Sequence, residues 1–238
     1  MEKINIEHIL FLDIETIGAA ASYHLLDPKM KLFWDKKAEK IKKFPDDSPE
    51  KTYEMAGIFA EFGKIICISV GFLRDGTLRI KSFANDDEAT LLQDFAALLN
   101  SYFSKRHHRL CAHNGKEFDF PYLCRRMLIN GIPLPPILDV AGKKSWETHF
   151  LDTMELWKFG DYKHYTSLDL LATLFGIPSP KDDIDGSMVH QIYWETNDLQ
   201  RIVNYCEKDV RTIVQLYLRY NGMQPLTEAN IVWVNGEK

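Results

Sequence analysis

The sequence predicts an α/β fold, a mixed sheet flanked by helices, and three observations carry that expectation. Short runs rich in Ile, Val, Phe and Leu alternate with longer amphipathic segments, the pattern of strands layered against helices. Two neighbouring runs flank Asp75-Gly76, a hairpin signal that makes that pair antiparallel. The final long segment repeats apolar residues at helical spacing from Leu199 to Tyr217.

In chain order, His8–Ile14 is the first strand, an apolar run suited to a central position covered on both faces. Ile65–Phe72 and Leu78–Ala84 form the hairpin. Asp86–Phe103 is a helix capped by Asp86 or Asp87, with Leu91, Leu92, Phe95, Leu98 and Leu99 in one stripe. Arg109–His113 is a fourth strand, Phe118–Asn130 a helix stopped by Gly131, and His149–Asp152 a weaker fifth strand. Ser167–Phe175 and Ser187–Glu195 are short helices. Asp198–Tyr220 is the last helix, capped by Asn197 or Asp198. The stretch Ile17–Gly63 is too long for an ordinary connection and reads as an inserted helical lobe. After Gly222, Ile231-Val-Trp-Val is either a short edge strand or a packed extension.

With 238 residues, 45% of them hydrophobic and 26% charged, the chain has the material for one globular domain over residues 1–238. No apolar run is long enough to cross a bilayer, and Met1–His8 lacks a basic stretch leading into an apolar core and a cleavage site. The expectation is a cytoplasmic protein without membrane association. Cys67, Cys111, Cys124 and Cys206 lie far apart in apolar segments, which argues for core thiols and against a zinc site or a disulfide framework. A formal net charge of -5 argues against coating nucleic acid by bulk charge and leaves room for a local basic groove, so it does not decide the substrate.

The chemistry begins at Phe11-Leu-Asp-Ile-Glu-Thr16. Asp-x-Glu is a weak signal alone, and Asp86-Asp87-Glu88 supplies a second copy in a helix-capping position. In a strand, residues two apart share a face, so Asp13 and Glu15 project together. Two carboxylates side by side on a buried strand are costly unless a cation compensates them; the plain alternative is that both reach solvent at the strand end. Asp119 closes Asn114-Gly-Lys-Glu-Phe-Asp in the first turn of a helix, where a carboxylate also serves merely to complement the helix dipole. Tyr205 and Asp209 form an i, i+4 pair at the border of the last helix's apolar stripe, placed to face a cleft beside the sheet. Tyr23/Asp27 and Tyr165/Asp169 share the spacing but not that context.

Together and in this order, the three motifs resemble those of the DEDD exonucleases of the ribonuclease-H-like superfamily, in the tyrosine subtype; the histidine subtype would carry His where Asn204 stands. The resemblance runs from His8 to about Tyr217. Ser167–Pro178 and Lys181…Asp185-Gly are similar to the proofreading exonuclease domain of family-B DNA polymerases and its stand-alone bacterial relatives. It implies a ribonuclease-H-like mixed five-stranded sheet, from which the insertion at about 17–63 and the C-terminal extension at about 222–238 depart. It also implies a metal-dependent 3′→5′ exonuclease acting on DNA, at single-stranded or frayed ends, by a two-metal-ion mechanism. Asp13, Glu15, Asp119 and Asp209 would hold two divalent ions, Mg²⁺ or Mn²⁺, and Tyr205 would orient the attacking water. Elementary chemistry agrees, since four converging carboxylates stay ionised only beside cations, and oxygen ligands suit hard ions. A tyrosine with a pKa of about 10 is a poor base at neutral pH, which favours positioning.

For the substrate, Phe118 is the candidate to stack on a terminal base, Thr16 and Asn114 to bond the terminal nucleotide, and Lys181 to meet a phosphate. Lys36–Lys43, Lys105–Arg109 and Arg125-Arg126 are candidate backbone contacts, and Asp152 is expected to be structural. Two other functions stay open. One is trimming of RNA 3′ ends, because contacts to the 2′-OH are not legible. The other is a nuclease-dead nucleic-acid-binding domain, whose mark would be a missing acid; none is missing.

Overall fold

The computed structural model describes residues 4–161, 165–179 and 183–234. Its sheet contains β1 (Ile9–Gly18), β2 (Gly63–Arg74), β3 (Thr77–Ala84), β4 (Arg109–Ala112), β5 (Leu151–Asp152) and β6 (Ile231–Trp233), ordered β5-β4-β1-β2-β3-β6. The five expected strands are thus joined by a sixth from the C-terminal tail, parallel to β3. β1 is antiparallel to β2 and parallel to β4, so the sheet is mixed and β1 is interior. β1 also runs on to Gly18, past the expected end at Ile14, because its pairing with β2 resumes after a bulge. Glu15 opposes Cys67 and Thr16 opposes Ile65, which leaves Ile66 as the extra residue.

The helices are α1 (Pro28–Ile41), α2 (Pro49–Thr52), α3 (Glu88–Tyr102), α4 (Asp119–Ile129), α5 (Thr153–Lys158), α6 (Leu168–Phe175), α7 (Val189–Gln191) and α8 (Leu199–Tyr220). Their starts follow from capping side chains: Asp87 accepts from Ala89 and Thr90, Ser167 from Leu170, and Asp198 from Arg201. The helix expected at Ser187–Glu195 is instead a short α7 that widens into a π turn at Ile192–Thr196, ended by Asn197 in the left-handed region (φ 53°). α5, absent from the sequence reading, is a short helix that starts on the Asp152 cap.

β1 is covered on both faces, as its composition requires. Leu10, Leu12 and Ile14 pack with Leu91, Leu92, Phe95 and Leu123 of α3 and α4, whereas Ile9 and Phe11 pack with Val210, Ile213, Val214 and Tyr217 of α8. The insertion forms the expected helical lobe, with a small core of its own around Trp34, Tyr53 and Phe62. It is tied to the sheet by the Gly57 carbonyl, which accepts from Thr16 Oγ1 and Tyr122 Oη, each at 2.8 Å. All four cysteines are free thiols, three of them buried and Cys124 half-buried. Among the described residues no helix is long and apolar enough to cross a membrane.

The second Asp-x-Glu is structural. Asp87 caps α3, and Glu88 accepts from the Ile65 N–H at 2.7 Å and from both Nε (2.9 Å) and Nη2 (2.5 Å) of Arg126. Arg126 also donates to the Ala60 carbonyl at 2.8 Å, so it is withdrawn from the role of nucleic-acid contact proposed for Arg125-Arg126. This buried pair joins α3, α4, β2 and the end of the insertion. Arg126→Ala takes the countercharge from a buried Glu88 that keeps only the Ile65 N–H and the Asn130 amide as donors, so it should lower the urea-unfolding free energy by about 3 kcal/mol; an unchanged midpoint would show the pair to be dispensable.

Candidate active site

Strand alternation and the crossing of α8 bring the motif residues together. Asp13 and Glu15 continue the row begun by Ile9 and Phe11, on the face that α8 covers. α8 can come close because Gly71 of β2 has no side chain; a Cβ there would lie 2.8 Å from Val210 Cγ1. On the other flank, the pairing of β1 with β4 ends at Phe11 and Cys111. There the Asp119 carboxylate accepts from the Ile14 N–H and from its own N–H at the start of α4. Glu15, Asp119, Tyr205 and Asp209 are buried and Asp13 is half-buried.

The turn that delivers Asp119 is built to a tight specification. Asn114 adopts the left-handed region (φ 61°), which Asn tolerates better than most residues. A Cβ on Gly115 would lie 2.4 Å from that of Ala112, so only glycine fits. Asp152 accepts from the N–H groups of Asn114 (3.0 Å) and Lys116 (3.1 Å) while capping α5, the structural role expected of it. Phe118 is half-buried, its ring 5.3 Å from that of Tyr122. The Asn114 Oδ1 is buried and has no hydrogen-bond partner.

The electrostatics follow from crowding acids out of water. Burial, then the charges of Asp209, Glu15 and Asp119, push the Asp13 carboxyl well above its ordinary range. Glu15 is raised by burial and then by Asp209. Burial drives Asp119 up to about 8, against the N–H groups that hold it. Tyr205, hydrogen-bonded to Asp209, is pushed up by burial and then by Asp209, so its hydroxyl keeps its proton.

Among the described residues, no lysine or arginine forms an ion pair with Asp13, Glu15 or Asp119. An oxygen of Asp13, an oxygen of Glu15 and Cys206 Sγ lie within 4.8 Å of one another. Buried, mutually repelling carboxylates of this kind fit divalent cations.

Two neighbours of the cluster were not found from sequence. The Cys206 thiol donates to the Asp13 carbonyl (3.4 Å) and to Asp13 Oδ2 (3.3 Å). Its one sequence signal is adjacency to Tyr205 on the sheet side of the helix. Tyr165, an exposed residue whose hydroxyl is partly desolvated, has its pKa raised by burial and then by Asp119, Asp209 and Asp13, so its hydroxyl lies within their field. The segment beside it is held by His113, which bonds Thr153 Oγ1 and the Thr166 carbonyl, each at 2.9 Å. Tyr165/Asp169 has the spacing of Tyr205/Asp209 but opens a short helix, so spacing alone does not single it out. Of the substrate candidates, Phe118 adjoins Asp119 in the chain, Asn114 opens the turn five residues before it, Thr16 turns to the opposite side of β1 towards Gly57, and Lys181 lies outside the described residues.

The fold is that of a ribonuclease-H-like domain of the polymerase-B exonuclease type. It matches the structure of the family B DNA polymerase from the hyperthermophilic archaeon Pyrobaculum calidifontis with a TM-score of 0.54 at 16% identity, over 89% of this chain and 24% of that one. Residues 58–231 match the family described as "Predicted 3'-5' exonuclease related to the exonuclease domain of PolB", and the chain belongs to that family. No curated protein matches it. The family match includes Asp119, Tyr205 and Asp209 and begins after Asp13 and Glu15, which join the same cluster through the fold.

These shifts set a pH dependence. The folded acids hold protons that the unfolded chain has released, so the stability of the metal-free protein falls as pH rises from the ordinary aspartate value of 3.8 through about 8 for Asp119. In chelator, the melting temperature should be lower at about pH 8 than at about pH 5, divalent ions should recover the loss, and Asp119→Asn should flatten the profile. Equal stability at both pH values in chelator would mean the acids are not crowded as described.

Proposed function

We propose that this chain is a metal-dependent 3′→5′ exonuclease that removes nucleotides from the 3′ end of DNA, at single-stranded or frayed ends. The observation that carries this reading is the convergence of Asp13, Glu15, Asp119 and Asp209 beside Tyr205 in one largely buried cluster. The four carboxylates would hold divalent ions, Mg²⁺ or Mn²⁺, which when bound would keep the acids ionised and supply stabilisation of negative charge at the phosphate. Tyr205 stays neutral, so it orients water by hydrogen bonding and does not take its proton. The unpartnered Asn114 Oδ1 is an acceptor for a hydroxyl of the terminal sugar, and the Phe118 ring offers a surface for the terminal base. Lys181 is assigned to a phosphate. The kinship with the PolB exonuclease domain supports DNA over RNA, and retention of all four acids supports an active enzyme.

The test uses end-labelled single-stranded DNA, recessed duplex and RNA of matched sequence with Mg²⁺, Mn²⁺ or chelator. DNA should shorten from its 3′ end only with metal. Asp13→Ala should reduce the rate by roughly a thousandfold or more, because metal stabilisation of the transition state is worth several kcal/mol. Tyr205→Phe, which removes one hydrogen-bonding group, should cost about a hundredfold. Shortening that survives chelator or Asp13→Ala would overturn the reading, and faster loss of RNA would move the substrate to RNA.

A further inference from the structure

We infer that the face of the sheet opposite the carboxylates carries a docking groove for an extended acidic peptide segment bearing apolar side chains. The groove, about 690 Å³, lies where α3 leaves the β2–β3 hairpin uncovered. Alternation fixes its side: Leu78 and Ile80 of β3 pack towards α8, so Arg79 and Lys81 point away, alongside Val70 and Phe72. The carboxylates project on the α8 side. The groove is also displaced along β1, since His8 lines it and the run from His8 to Asp13 adds about 16 Å.

The floor and the rim differ in chemistry. Val70, Phe72, Leu98 and Phe103 make an apolar floor. Arg79, Lys81 and Lys105 stand on the rim, and none of them forms an ion pair among the described residues. His8, His107 and His108 cluster beside them, with ring centroids 4.2 and 4.6 Å apart in the closer pairs. The acid on the rim, Glu7, is turned to the Asp75 N–H at 3.0 Å. In a chain of net charge -5, a concave patch of this sign selects an anionic partner.

Two anionic polymers compete for it, and the geometry favours peptide over nucleic acid. A strand whose 3′ end lies at the carboxylates would have to pass round the sheet to reach the groove, where Tyr102 and the histidines offer rings but Val70 and Leu98 give a base no face to stack on. A peptide that alternates acidic and apolar residues fits both parts, acids to the rim and apolar side chains to the floor. β6 supplies a further support: it is the edge strand, its Val232 is 42% exposed, and Val234, just past its end, is 47% exposed and lines the groove. An edge beside an exposed apolar patch is suited to the addition of a peptide strand.

The test is fluorescence anisotropy on the full chain in chelator, so that nothing is cut. The probes are labelled peptides of about ten residues in which Asp or Glu alternates with Ile, Leu or Phe. The controls are the same peptides with Lys for the acids or Ser for the apolar residues, and a single-stranded oligonucleotide. The acidic-apolar set should bind more tightly at low salt. Both peptide control sets, and the double variant Arg79→Glu/Lys81→Glu, should weaken binding by about tenfold or more while the variant keeps the wild-type melting temperature. Absence of binding by every acidic-apolar peptide, or binding untouched by charge reversal, would overturn the proposal. So would oligonucleotide binding that the double variant abolishes, which would give the groove to nucleic acid. Because no readout depends on cleavage, failure here is distinguishable from failure of the nuclease reading.

Discussion

The mutual repulsion of carboxylates held out of water is the constraint on which the rest of the site depends. Asp13, Glu15 and Asp119 all titrate above their ordinary range for the same first reason, burial, and the charges of neighbouring acids add to it. Left to relax, such groups would swing apart or draw in solvent. They stay together because each is mounted on an element whose position is fixed by contacts that have nothing to do with charge. β1 is paired with β2 along most of its length and is covered on both faces, and α8 is seated on β1 and β2 by Val210, Ile213 and Val214. The apolar core thereby supplies the stability that the acids remove, and a divalent cation bound among them would turn their repulsion into affinity.

Around the acids, polar contacts restrict rotamers and turns. Asp152 fixes the Asn114–Lys116 backbone, Cys206 holds Asp13 from beneath, and Tyr205 bonds to Asp209. The Glu88–Arg126 pair secures α3 against α4, so the helix that presents Asp119 is held at both ends of its packing face. These groups govern the precision of the site more than its existence.

That division explains what could be read from the sequence. β1, the hairpin, α3 and α8 were legible because periodicity, caps and the Asp75-Gly76 turn are local signals. The three motifs were legible through their order and their placement on strand, turn and helix. Cys206, Tyr165 and Arg126 were not, since each owes its position to residues distant in the chain: Asp13, the acid cluster and Glu88. The placement of Thr16 is different. Strand alternation alone sets it on the side away from Asp13 and Glu15, where it bonds Gly57, so its placement was available from the rule that paired the two acids.

The bulge at Ile66 joins these levels. In a regular strand, neighbours point to opposite faces, yet Ile66 and Cys67 both belong to the cluster beneath α8, while Ile65 and Ile68 lie in the core on the other side. The extra residue sits opposite Glu15 and Thr16, at the step between the acid that must face the cleft and the threonine that ties down the insertion. A bulge sharpens local twist and bends the strand that carries it. Placed there, it lets β1 and β2 continue pairing to Gly18 and Gly63, so the inserted lobe leaves and rejoins the sheet at adjacent points. The insertion can therefore be long without disturbing the register of Asp13 and Glu15, because both its ends are fixed by the pairing that fixes the acids.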